Sequence, residues 1–126
     1  MADEAGPILV VVGDEDVRTL LSSLLASAGF GTAQAESGED AIALARTVQP
    51  RVALVDVYLP GLSGYEVCHR LKTEFGSSLS VVLVSRKQRE ELDRVAGALL
   101  GADDCVSTPV MASELLAVVR RLVGEA

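Results

Sequence analysis

The chain of 126 residues is sized for one domain, and 49% hydrophobic against 23% charged residues supplies a core that a disordered tail would lack. Lys plus Arg number 11 against 18 Asp plus Glu, and the net charge of -7 argues against a free-standing nucleic-acid binder or attachment to anionic lipid. No apolar run approaches the roughly 18 residues that span a bilayer, and the acidic start at 1–6 lacks the basic region of a secretory signal, so a cytoplasmic protein is expected.

Ile8, Leu9, Val10, Val11 and Val12 form a short, largely β-branched run followed by polar Gly13, Asp14, Glu15 and Asp16, the profile of a strand buried on both faces. Val17, Leu20, Leu21, Leu24, Leu25 and Ala28 recur at helical spacing until Gly29 stops the pattern. Thr32 to Ala35 read as a weak strand, and Ser37 opens a capped helix with Ala41, Ile42, Leu44, Ala45 and Val48 that ends before Pro50. Val52, Ala53, Leu54 and Val55 then lead into Asp56, and a loop bearing Pro60, Gly61 and Gly64 precedes a helix with Val67, Cys68 and Leu71. A fourth strand at 79–84 ends at Ser85, and Leu92, Val95, Ala96, Leu99 and Leu100 mark a fourth helix up to Gly101. Cys105 and Val106 mark a last short strand; Leu115, Leu116, Val118, Val119 and Leu122 mark a last helix.

Five strand and helix pairs in strict alternation require a parallel sheet covered by helices on both faces, because each crossover is right-handed and lies against the sheet. The expected class is doubly wound α/β, one domain over 1–126 with its core at about 7–123 and no output domain attached. Five strands commonly take the order 2-1-3-4-5, with the chemistry at their carboxyl ends. Those ends carry Asp14, Asp56, Ser85 and Thr108. Cys68 and Cys105 have no metal-ligand spacing and read as buried thiols; His69, the one histidine, reads as a solvent-facing helix residue.

Asp56 closes a strand of apolar residues, where a carboxylate adds no packing and costs several kcal/mol to desolvate unless it reaches solvent or a partner. Functional use is favoured, beside a structural use in capping loop amides or the helix at Gly64. Leu54-Val55-Asp56 with Pro60 four residues later and Gly64 eight later, Ser85 after the fourth strand, Gly101-Ala102-Asp103-Asp104 and Pro109 together resemble the receiver domain of bacterial response regulators. The resemblance runs over 7–123 and implies a flavodoxin-like (CheY-like) fold, order 2-1-3-4-5, with Asp56 accepting a phosphoryl group from a histidine kinase. It further implies a magnesium ion held by a pair of acids after the first strand, by Asp56 and by the Tyr58 carbonyl. A Ser or Thr at position 85 and a Lys before the final Pro would hold the phosphoryl oxygens. Magnesium takes oxygen ligands, and an anionic carboxylate attacks an anionic phosphoryl group only where cations offset the charge.

The sequence departs at those parts. The acid pair falls on Val12 and Gly13, leaving Asp14 as the nearest carboxylate; a slip of one residue restores one acid and not both. The lysine position holds Thr108, Arg86 follows Ser85 where a small residue is usual, and the aromatic of the last strand is Cys105. Loss of one preorganised group that stabilises developing charge costs about 2.7 to 4 kcal/mol, so losing two costs about 10⁴ or more in rate, though such effects do not simply add. Arg86, Lys87 and Arg89 follow the fourth strand, and Arg86 or Lys87 could supply some of the missing positive charge or lock Asp56; a solvated helix start is the plainer reading. The resemblance implies a cis peptide at Thr108-Pro109, and X-Pro is the bond where cis costs least. Tyr58 and Tyr65 read either as gates around the acceptor or as rim packing.

The expectation is therefore an atypical, or pseudo-, receiver that is not an enzyme, acts by protein contact, and is phosphorylated weakly or not at all at Asp56. It expects no cofactor. The alternative is a working phosphoacceptor using Asp14, Asp56 and the Tyr58 carbonyl for Mg²⁺. A flavin or nucleotide carrier is disfavoured because the loop after the first strand lacks a Gly-rich phosphate cradle. The resemblance implies a histidine kinase or downstream signalling protein docking on the face of the fourth helix, last strand and last helix. That face offers Arg89, Arg94, Cys105, Val110, Met111, Arg120 and Arg121, and would also serve a homodimer. Residues 93–104 resemble receivers joined to helix-turn-helix outputs, so any nucleic-acid contact would belong to another domain and not to this one.

Overall fold

A computed structural model describes residues 6–124; the acidic start at 1–5 and residues 125–126 lie outside the described residues. Five strands, β1 (Ile8–Val11), β2 (Thr32–Ala35), β3 (Val52–Asp56), β4 (Ser80–Arg86) and β5 (Asp104–Thr108), alternate with five helices. The helices are α1 (Glu15–Ser27), α2 (Gly38–Val48), α3 (Gly64–Phe75), α4 (Glu90–Leu99) and α5 (Ala112–Val123). All strand pairs are parallel and the order is β2-β1-β3-β4-β5, as the alternation requires.

Successive strand residues point to opposite faces of the sheet, which divides the core in two. Leu9, Val11, Ala53, Val55, Val81 and Leu83 pack with Ala41, Ala45, Val67, Cys68 and Leu71 of α2 and α3. Val10, Leu54, Val82, Val84 and Val106 pack on the other face with Leu21 and Leu25 of α1 and Leu115 and Val119 of α5. Strands buried on both faces explain the near-continuous apolar runs of the sequence. Their register aligns Asp56 with Val84, Ser85 with Ser107 and Arg86 with Thr108, so these carboxyl ends form one rim.

Three differences from the sequence reading bear on the site. β5 is longer than Cys105 and Val106, because the ladder with β4 carries on to Thr108. β1 stops at Val11, although the Val12 N–H still donates to the Ala35 carbonyl at 3.2 Å. The apolar residues that mark α4 are mostly outside: Leu92, Val95 and Leu99 are 62%, 63% and 83% exposed, and the side turned inward carries Asp93 and Gly97. Gly97 allows the close approach, since a Cβ there would sit 2.3 Å from Leu83 Cδ1.

Candidate functional site

The rim encloses a cavity of about 190 Å³ lined by Val12, Asp14, Val17, Asp56, Val84, Ser85, Arg86 and Thr108. Tertiary structure thus brings together Asp14, Asp56, Ser85 and Thr108, the strand-end residues singled out in the sequence, and of the basic cluster only Arg86 lines the cavity. Asp56 is held by the turn that follows it, its Oδ1 accepting from the Tyr58 N–H at 2.9 Å. The Gly64 N–H donates to the Val57 carbonyl at 3.0 Å, drawing the start of α3 against the end of β3. A Cβ on Gly64 would stand 2.2 Å from the Asp56 carbonyl oxygen, which is why the eighth position after Asp56 takes glycine. Burial raises the Asp56 carboxyl above the usual carboxylate range; the Tyr58 N–H and the Arg86 charge oppose the rise, and the Asp14 charge adds to it.

The other expected participants are turned to local duties. Asp14 caps α1, accepting from the Val17 N–H at 3.1 Å. Arg18 donates to the carbonyls of Val12 at 2.8 Å and Gly13 at 3.3 Å. Thr108 precedes a cis bond to Pro109, and its hydroxyl donates to the Ser85 carbonyl at 3.2 Å. The Arg86 guanidinium lies over the Tyr58 ring, 4.1 Å from the centroid, a cation–π contact.

Ser85 is buried, and its hydroxyl donates to Asp93. Sequence reasoning missed Asp93. It is 0% exposed, and both tyrosines singled out in the sequence converge on it: the Tyr58 hydroxyl donates at 3.1 Å and the Tyr65 hydroxyl donates to the other oxygen. Desolvation pushes the Asp93 carboxyl up, but the hydrogen bonds from Ser85, Tyr65 and Tyr58 outweigh it and hold the group below the usual range. Burial, with the bond to Asp93, pushes the Tyr65 hydroxyl up to about 12. The available signal was an acidic residue inside the apolar pattern of a helix, eight positions after Ser85.

A magnesium ion, which the resemblance implies, needs oxygen donors converging on this cavity. The donor set does not match that need. Positions 12 and 13 bring no side-chain oxygen, Asp14 Oδ1 is already engaged by the Val17 N–H at the start of α1, and the Arg86 guanidinium occupies the same rim. Among the described residues, no three His, Cys, Asp or Glu side chains are grouped to hold a metal. Of the remaining sequence expectations, Cys68 and Cys105 are buried free thiols and His69 is exposed on α3. No helix among the described residues is long and apolar enough to cross a membrane.

Comparison with known proteins agrees with the fold. The family described as response regulator receiver domain matches residues 8–120. The transcriptional regulatory protein AfsQ1 of Streptomyces coelicolor is 36% identical over 118 residues, covering 93% of this chain and 51% of that protein. The alkaline phosphatase synthesis transcriptional regulatory protein PhoP of Bacillus subtilis is 36% identical over 116 residues, covering 92% and 48%. The chain therefore spans about half the length of these curated relatives. Among solved structures, a putative response regulator from Chloroflexus aurantiacus aligns with a TM-score of 0.88 at 27% identity, covering 95% of this chain and 98% of that one. The receiver domain of NtrX from Brucella abortus aligns with a TM-score of 0.88 at 29% identity, covering 94% and 99%. With the strand order, the rim around Asp56 and the match over 8–120 in hand, the chain belongs to the receiver domains of two-component response regulators.

Proposed function

We propose that this domain is an atypical receiver of a bacterial two-component pathway, phosphorylated weakly or not at all at Asp56 and signalling chiefly by protein contact. The observation that carries this reading is the set of residues at the family's acceptor-site positions: Val12 and Gly13 stand where the family has acids, and Thr108 stands where it has lysine, with Val12 and Thr108 lining the cavity. Among the described residues, the one cationic side chain lining the cavity, Arg86, is stacked on Tyr58. A dianionic group arriving on a half-buried carboxylate would meet little fixed positive charge, and such groups are each worth about 10² to 10³ in rate. The reading requires no cofactor and no enzymatic activity, and a cytoplasmic location fits it.

The partner would be a histidine kinase or a downstream signalling protein, engaged through the face of α4, β5 and α5. Leu92, Val95 and Leu99 at positions i, i+3 and i+7 make an exposed apolar stripe on α4, and Met111 before α5 is also 68% exposed. Such a stripe equally suits a second copy of the chain. Two of the cations on this face are internally paired, Arg94 at 2.8 Å and Arg121 at 2.5 Å to Asp104, which leaves the apolar residues a large share of any contact here. Relatives whose names describe transcriptional regulation extend well beyond the matched half, and a DNA-binding output would belong to such an extension rather than to these residues.

The test is incubation with Mg²⁺ and acetyl phosphate, followed by intact mass and by amide NMR titration with Mg²⁺ alone. Little or no adduct and no saturable shift around Asp56 are expected. Rapid adduct formation that disappears in Asp56→Asn, with saturable shifts at Asp14 and Tyr58, would establish the magnesium-dependent phosphoacceptor instead.

A further inference from the structure

Asp93 is a buried carboxylate with no function in the phosphoacceptor scheme, and it takes hydrogen bonds from three hydroxyls on three different elements: Ser85 at the end of β4, Tyr58 in the loop after β3, and Tyr65 in the first turn of α3. A serine hydroxyl carries one proton. It can be donated to one strong acceptor at a time, and an ionised carboxylate outcompetes the neutral Arg86 carbonyl that lies 3.2 Å from the same oxygen. While Asp93 holds that proton, Ser85 has none to offer an anion on Asp56, although both residues line one cavity. The cost of burying the carboxylate is met by these donors jointly, so removing one leaves the remaining charge under-solvated. Asp93 belongs to α4, whose docking on β4 depends on Gly97 rather than on large apolar side chains. The hydroxyl cluster is thus a principal tie between α4 and the rim.

We infer that Asp93 is a positioning residue: it holds the Ser85 hydroxyl away from Asp56 and fastens α4 to the acceptor rim, so that any anion on Asp56 must take Ser85 from Asp93 before it gains that donor. The inference rests on reading Asp56 as the acceptor position, and the experiment separates failure of the one from failure of the other.

Wild type, Asp93→Ala, Ser85→Ala and the double variant are compared by two measurements. The first is the Ser85 side-chain rotamer in solution, from Hα–Hβ couplings, which does not depend on phosphorylation. The second is the initial rate of adduct formation with acetyl phosphate and Mg²⁺, by intact mass. A single Ser85 rotamer in wild type that becomes averaged in Asp93→Ala is expected. With it comes a rise of about tenfold in adduct rate, the scale of releasing one charge-assisted hydrogen bond. That rise should be absent when Ser85→Ala is compared with the double variant. An unchanged Ser85 rotamer in Asp93→Ala overturns the inference whatever the adduct rate does, and so does a freed rotamer with an unchanged, measurable rate. A freed rotamer with no adduct on any variant supports the hold on Ser85 and shows that Asp56 accepts no phosphoryl group, the stronger form of the proposed function. Should Asp93→Ala not fold, Asp93→Asn serves: it keeps the shape and one accepting oxygen, and is expected to show the same changes at smaller amplitude.

Discussion

Gly64 and Asp56 illustrate how a single backbone position secures the rim. The carbonyl of Asp56 and the Cα of Val57 stand 2.2 and 2.6 Å from where a side chain on Gly64 would begin, and both are main-chain atoms that no rotamer change can move aside. Gly64→Ala is therefore expected to destabilise the fold by roughly 3 kcal/mol, at the upper end of overpacking costs, read as a drop in urea midpoint with unchanged m-value. Gly97→Ala should also destabilise, but less, since the nearest obstacle there is the end of the Leu83 side chain rather than main chain. The spacing from Asp56 to Gly64 was legible in the sequence because a glycine need is local to one turn. The role of Asp93 was not, because its three donors come from positions 8, 28 and 35 residues away and nothing in α4 itself announces them.

At the scale of elements, α4 is the helix whose sequence misleads. Leu92, Val95, Ala96 and Leu99 mark it correctly as a helix, yet the stripe they form lies largely outside while the inner side carries an acid and a glycine. Periodicity reports that an amphipathic helix exists and cannot say whether its apolar side meets the sheet or a partner. The junction between α4, β5 and α5 is instead held by Asp104, which accepts from the Cys105 N–H at 2.7 Å, from Arg94 at 2.8 Å and from Arg121 at 2.5 Å. Desolvation pushes its carboxyl up, but the Cys105 N–H and the two guanidinium groups outweigh that and hold it below the usual carboxylate range. A depressed folded-state value means the group stabilises the fold above the unfolded value of about 3.9 and that this stabilisation is lost as pH falls through the folded value. Asp104→Asn should accordingly cost about 1 kcal/mol at pH 7, modest because both arginines are about half exposed, with the difference from wild type closing as pH falls from the ordinary carboxylate range through the depressed folded-state value. Thermal unfolding of the two proteins across that range checks it.

For the molecule as a whole, the strict alternation of strands and helices left one topology class, and the apolar runs located β1, β3 and β4, while β2 was read only as a weak strand and β5 only from Cys105 and Val106. What the sequence could not convey is how the rim spends its polar groups: Asp14 on a helix end, Thr108 on a neighbouring carbonyl, Ser85 on Asp93. Each is a choice among partners that only the folded arrangement makes. The two-sided burial also settles the behaviour of the thiols. Cys68 and Cys105 lie in the same half of the core, and burial pushes each up to about 11. Both are expected to resist maleimide in the native protein and to react fully in guanidinium, with a mass-resolved time course as the measure.

With no tryptophan and only two tyrosines in the chain, nearly all of its near-ultraviolet absorbance and emission arises from Tyr58 and Tyr65. Both phenols end on the same carboxylate. The molecule therefore carries a built-in optical probe confined to one spot, and a tyrosine difference spectrum recorded while a ligand or a binding protein is added reads the state of that spot without any label.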